Sequence, residues 1–238
     1  MSYDYIGLTN DVNRRLNEVE LTSANFATAV GFYATIKDAV NASIREINHT
    51  HYEWPFNHVL AEETLTTGIT RYAFPSDANT LDFDSFRIKA DSTLGNNTVK
   101  LTIASYEDYL ESSVDQEYST DKYEIPEFVV HCPSLEYAVS PAPNKDYEIL
   151  YEYYRIPVDL ENATDVPSIP ERFRHVIIDG AMYHAYMFRS NEQAANIAKG
   201  KMESGIKQMR TMLINRNTYM RSTAIISRAI STFGSRVA

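Results

Sequence analysis

Apolar residues recur every three or four positions along the first fifty residues, alternate with polar ones through the middle of the chain, and return to the longer spacing after Asp165. A period near 3.6 lines one face of a helix, and a period of two lines one face of a strand. The first block therefore predicts a short helix near Thr9 to Val19 and a longer one from about Ser23 to Asn48. Phe26, Val30, Tyr33, Ile36 or Lys37, Val40, Ile44 and Ile47 form the stripe of the longer helix, with Thr22 or Ser23 as its cap.

Beyond Trp54 and Pro55, short runs punctuated by Pro, Asn, Asp and Thr predict strands at Glu63 to Thr67, Arg71 to Phe74, Leu81 to Ile88, Val99 to Ile103, Glu127 to His131, Leu135 to Val139 and Tyr147 to Arg155. Alternation is cleanest in Val99-Lys-Leu101-Thr-Ile103 and Ile149-Leu-Tyr151-Glu-Tyr153, so one face of each is expected to be solvated and the pairing antiparallel. The spacing suggests a small sandwich or barrel, with a helical turn at Tyr106 to Glu111.

Ser168-Ile-Pro-Glu171 has the form of a capping box with proline in the first turn, and it predicts a helix whose stripe is Phe173, Val176, Ile177, Gly180, Tyr183 and Met187. Ser190-Asn-Glu-Gln193 is a second box, opening a helix through about Leu213 that would fold back as a hairpin. The fold class is thus α+β. Residues 1–50 and 165–216 form a bundle of terminal helices, residues 51–164 an inserted antiparallel β-rich domain, and 217–238 an extended arm. In that arm Tyr219, Thr223, Ile226, Ile230, Phe233 and Val237 repeat at four and three.

Charge sharpens the separation of arm from body. From Lys199 to Ala238 eight basic residues stand against Glu203 alone, giving +7; the total of -10 over 238 residues leaves -17 on the rest. An acidic body argues against broad nucleic-acid affinity, because phosphate binding gains from counterion release onto cations. The arm instead looks made for an acidic or polar partner. No apolar run approaches eighteen residues and no secretion signal opens the chain, so a soluble protein is expected. Cys132 is the single cysteine, and no internal disulfide follows.

Candidate chemistry is sparse. The 8 glycines include no GxGxxG or GxxxxGK arrangement to cradle phosphate. His49, His51 and His58 could gather a metal, but HExxH and paired cysteines are missing, and helix-end and loop positions beside Trp54 suit them better. His131 and Cys132 are neighbours on a strand and should point to opposite faces; His175 and His184 read as surface or core residues. Asp82 and Asp84, and the run Glu107, Asp108, Glu111, Asp115, Glu117, Asp121, Glu124, Glu127 with only Lys122 opposing, read as a wet face that would repel passing DNA. No catalytic, cofactor-binding or metal residues are expected.

The helices together with Tyr52-Glu-Trp54-Pro-Phe-Asn57, Thr66-Thr-Gly-Ile-Thr-Arg71-Tyr-Ala-Phe-Pro75, Tyr151-Glu-Tyr153-Tyr-Arg155-Ile-Pro157, Val166-Pro-Ser-Ile-Pro170 and Ile178-Asp-Gly-Ala181 resemble the head-to-tail adaptor proteins of tailed phages, of the tail tubular protein A type. The resemblance runs over most of residues 1–215. It implies a virion neck or tail protein assembled in the host cytoplasm, a homo-oligomeric ring of twelve subunits. Its partners would be the portal protein above and a tail nozzle or tail tube protein below, with DNA passing through at ejection, no membrane and no catalysis. A C-terminal extension reaching the portal is also implied, and the arm matches it in placement. Tyr219, Arg221, Ile226, Arg228, Ile230, Phe233, Arg236 and Val237 are its candidate docking residues. Burying its four large apolar side chains would yield on the order of 6–12 kcal/mol, against roughly 2–5 kcal/mol for ordering the segment. The competing readings are another tail or head-completion protein, or a carbohydrate-active enzyme using Asp82, Asp84 and Glu107.

Overall fold

A computed structural model describes residues 2–89, 97–112, 114–115 and 119–214. Helix and sheet are mixed, in the order of three helices, eight strands interrupted by one short helix, and two long helices.

Helix α1 (Tyr5–Arg15) begins four residues before the apolar pattern suggests, because the Asp4 carboxylate accepts from the Gly7 amide at 2.8 Å and satisfies an orphan donor of the first turn. It ends at Arg15, short of Val19, where Asn17 takes a left-handed φ of 58°. The expected second helix is two helices. Thr22 is the N-cap of α2 (Ser23–Phe26), its amide donating to Asn25 Oδ1, and Gly31 at φ 63° then turns the chain into α3 (Phe32–Thr50). That break takes Val30 off the stripe and leaves it 79% exposed, while Phe26 is buried.

Strands β1 (His58–Leu65), β8 (Tyr147–Arg155), β3 (Ala78–Ile88) and β4 (Val99–Lys100) form one sheet in the order β1-β8-β3-β4. Strands β2 (Arg71–Ala73), β7 (Glu136–Ser140), β6 (Phe128–Cys132) and β5 (Thr102–Ala104) form the other, in the order β2-β7-β6-β5. Pairing is antiparallel except between β5 and β6, which run parallel. The single strand expected at Val99 to Ile103 is split between the sheets. Leu101 donates its amide to Phe86 in the first sheet and Thr102 donates to Glu127 beside the second. Leu101 is therefore buried, whereas Ile103, on an edge strand, is not. Residues of both sheets share one core, in which Phe86 stacks on Tyr151 at 4.7 Å and meets Tyr137 edge-on at 5.1 Å. Such aromatic pairs add roughly 0.5–1.5 kcal/mol beyond their buried area. Helix α4 (Tyr106–Ser112) lies over β6, where Tyr109 packs with Val130, Cys132 and Ala138.

The chain then returns to the helices. Ser168 does not form the expected box: its hydroxyl donates to Asn57 Oδ1, Pro170 is extended, and one 3-10 turn at Glu171–Phe173 precedes α5 (Arg174–Phe188). At the second box Ser190 is left-handed, and Asn191, one residue on, caps α6 (Glu192–Leu213) by accepting from the Ala194 amide. Helix α5 is buried well beyond the expected stripe, at Val176, Ile177, Ile178, Gly180, Ala181, Met182 and Ala185, because it packs against α1, α3 and α6 together. Met187, expected on the stripe, is exposed.

Two glycines permit this crowding. A Cβ on Gly180 would lie 2.2 Å from Ser43 Oγ and 2.8 Å from Met202 Sδ, and one on Gly205 would lie 2.6 Å from a Val176 methyl. A separate hydrophobic core unites α1, α2, α3, α5 and α6 with Trp54, Leu160 and Ile169. At its border with the strands, Trp54 donates to the Ile47 carbonyl at 3.0 Å, and Asn48, Asn57 and Ser168 form a hydrogen-bonded chain.

Candidate assembly surface

The residues with chemical potential are dispersed. His49 is exposed at the end of α3, and His51 stands edge-on to Trp54 at 5.3 Å. Burial and the Arg210 charge lower the His51 pKa. His58 Nε2 lies 3.0 Å from Glu152 on the neighbouring strand. Among the described residues no group of three or more His, Cys, Asp or Glu side chains is placed to hold a metal ion. His131 and Cys132 take opposite faces of β6, as strand geometry requires: the imidazole stacks on Phe74 at 5.7 Å and the thiol is buried. His175 is exposed, and the half-buried His184 lies 3.6 Å from Glu46.

The acidic residues lie on the surface. Asp82 and Asp84 are exposed on β3, with Lys100 3.3 Å from Asp84. Glu107, Asp108, Glu111, Asp115, Asp121, Glu124 and Glu127 are exposed too, while Glu117 lies outside the described residues. Glu63 reaches the sheet core, where one oxygen accepts from Tyr137 at 2.8 Å and Tyr151 at 3.0 Å. Burial, with the Glu63 charge second, raises both phenol pKa values, so both hydroxyls remain donors.

A groove runs between α5 and α6. His175 lies opposite Gly205 and Gln208, and Tyr186 opposite Ala194, which makes the two helices antiparallel. Along α6 the groove is lined by Ile197, Lys201, Ser204 and Gln208, spaced four, three and four. Arg15 of α1 reaches its other wall, 2.7 Å from Asp179. Ile197 is 58% exposed, an uncovered apolar side chain at the mouth. Apolar periodicity marks the buried side of each helix, so it does not report this face. The offset series from Ile197 to Gln208 was the available signal.

All eight docking residues expected in the arm, from Tyr219 to Val237, lie outside the described residues. The model of the SU10 adaptor protein family, however, matches residues 3–228 and so spans both described sheets, helices α1 to α6 and the start of the arm. The chain belongs to the SU10 adaptor protein family. No curated protein matches it significantly. The adaptor is a phage structural protein of the virion neck that interacts with other head and tail proteins, and its expected kinship with head-to-tail adaptors is borne out. The family match ends before Ile230, Phe233, Arg236 and Val237 of the adaptor. None of the adaptor's described helices is long and apolar enough to cross a membrane.

Proposed function

We propose that the adaptor assembles as a closed ring of twelve identical subunits, seated between the portal and a nozzle or tail-tube protein, through which DNA passes without being bound. The observation that carries this reading is the family match over residues 3–228. The separate helical and strand cores support a division into a helical bundle and an inserted two-sheet sandwich. The exposed carboxylates support a body that repels phosphate. In this account the adaptor is not an enzyme, and it assembles in the host cytoplasm before joining the virion.

Residues 217–238 dock on the portal through Tyr219, Ile226, Ile230, Phe233 and Val237, and Arg221, Arg228 and Arg236 set their register. Each arm contributes modestly, but many copies held in one ring engage together. Co-sedimentation of full-length chain and of a chain ending at residue 216 with purified portal rings tests this. The truncated chain should bind on the order of a hundredfold more weakly. Equal binding by the two chains would remove the arm from the mechanism, and electron microscopy showing no ring with portal present would remove the ring.

A further inference from the structure

We propose that the α5–α6 groove receives helix α4 of a second copy of this chain, a contact that rests on the ring reading and specifies how its subunits meet. The groove offers the exposed Ile197 flanked by two cations, Lys201 and Arg15, with Asp179 engaged by Arg15. Helix α4 presents the counterpart. Leu110 is 44% exposed, Glu107 lies three positions before it on the same face, and Glu111, four positions after Glu107, extends the acidic edge beside it. Phe128, on the same outer side of β6 as Val130, widens the apolar centre and is 39% exposed.

Charge favours helix α4 over the closing segment as the occupant. The closing segment 217–238 carries Arg221, Arg228 and Arg236 and no Asp or Glu side chain, so its side chains meet Arg15 and Lys201 as like charge. Helix α4 meets them with opposite charge around an apolar contact. The two faces differ, so the contact is head-to-tail, the kind that closes into a ring when its rotation divides a full turn.

Disulfide trapping in the full chain tests the pairing, with unsubstituted chain as the blank because Cys132 is buried. Mixing Leu110→Cys chain with Ile197→Cys chain under mild oxidation should give a 110–197 cross-link between subunits, in excess of either homodimer. Cross-links only between identical positions, or none, overturn the proposal. So does preferential trapping of Ile197→Cys by a cysteine at Phe233, which would place the arm in the groove. Lys201→Glu should raise the concentration of half-assembly about three- to tenfold, as expected for reversing one partly exposed pair. Glu107→Lys, Glu111→Lys chain mixed with Lys201→Glu chain should recover most of that loss, and unchanged assembly of Lys201→Glu alone also overturns the pairing. Rings seen with portal but lacking the 110–197 cross-link would sink this contact and leave the ring reading standing; absence of rings would sink both.

Discussion

Gly180, Gly200 and Gly205 sit on neighbouring helices and answer differently to one methyl group. At Gly180 and Gly205 the added carbon meets Ser43, Met202 or Val176 well inside contact distance, so the helices must separate. Gly180→Ala and Gly205→Ala should each cost about 1–3 kcal/mol as overpacking. Gly200 has open space around the same position, and Gly200→Ala should raise stability by about 0.5–1 kcal/mol through helix propensity. Chemical denaturation of the three variants checks the order. His184 supplies a second residue-level test. Burial holds its pKa below the ordinary 6.5, outweighing the attraction of Glu46. The unfolded chain therefore takes up the proton first as pH falls, and stability should drop once pH passes below 6.5, with a flat plateau above it. His51 is shifted in the same direction. Melting temperature followed from about pH 7.5 to 5.5 should decline, and His184→Gln should decline less steeply over that range.

Between elements, Asn41 of α3 is the tie to the segment joining β8 to α5. Its side chain donates to the Leu160 carbonyl and accepts from the Leu160 amide, both at 3.0 Å. Asn41→Ala strands two buried backbone groups and should cost about 2–5 kcal/mol, readable as a lowered denaturation midpoint. Asn41→Leu, with similar bulk, should not restore stability if those hydrogen bonds are the cause. This contact also shows what patterning conveys. Periodicity located both long C-terminal helices, α4 and the main strands, because burial on one face writes itself into the spacing of apolar residues. It could not distinguish Asn41 from a solvated asparagine, since the partner lies 119 positions away. Likewise Val99 to Ile103 alternates like one strand, and nothing local reveals that its halves pair with different sheets. The docking groove was hidden for a related reason: Ile197, Lys201, Ser204 and Gln208 lie beside the stripe that reports the core.

For the whole molecule, the division of charge is the governing feature. The chain before Lys199 carries -17 and the remainder +7. Neither the full adaptor nor a chain ending at residue 216 should retain duplex DNA in a mobility-shift assay at about 0.15 M salt, because the acidic body outweighs the arm. Retention by the full chain alone would mean that the arm, freed from the body's field, recruits phosphate. The family match to residue 228 reaches only part of that arm. The body's architecture is thus tied to its kin more completely than its last ten residues are.

The passage of a single run of chain from β4 into β5 has a mechanical consequence. Successive amides, those of Leu101 and Thr102, are fastened to opposite layers at 2.9 and 2.8 Å. Sliding or prising one layer away from the other must rupture backbone hydrogen bonds as well as part oily side chains. Such a rivet lets the strand-rich body carry shear as one block, as the proposed seat between portal and tail would require.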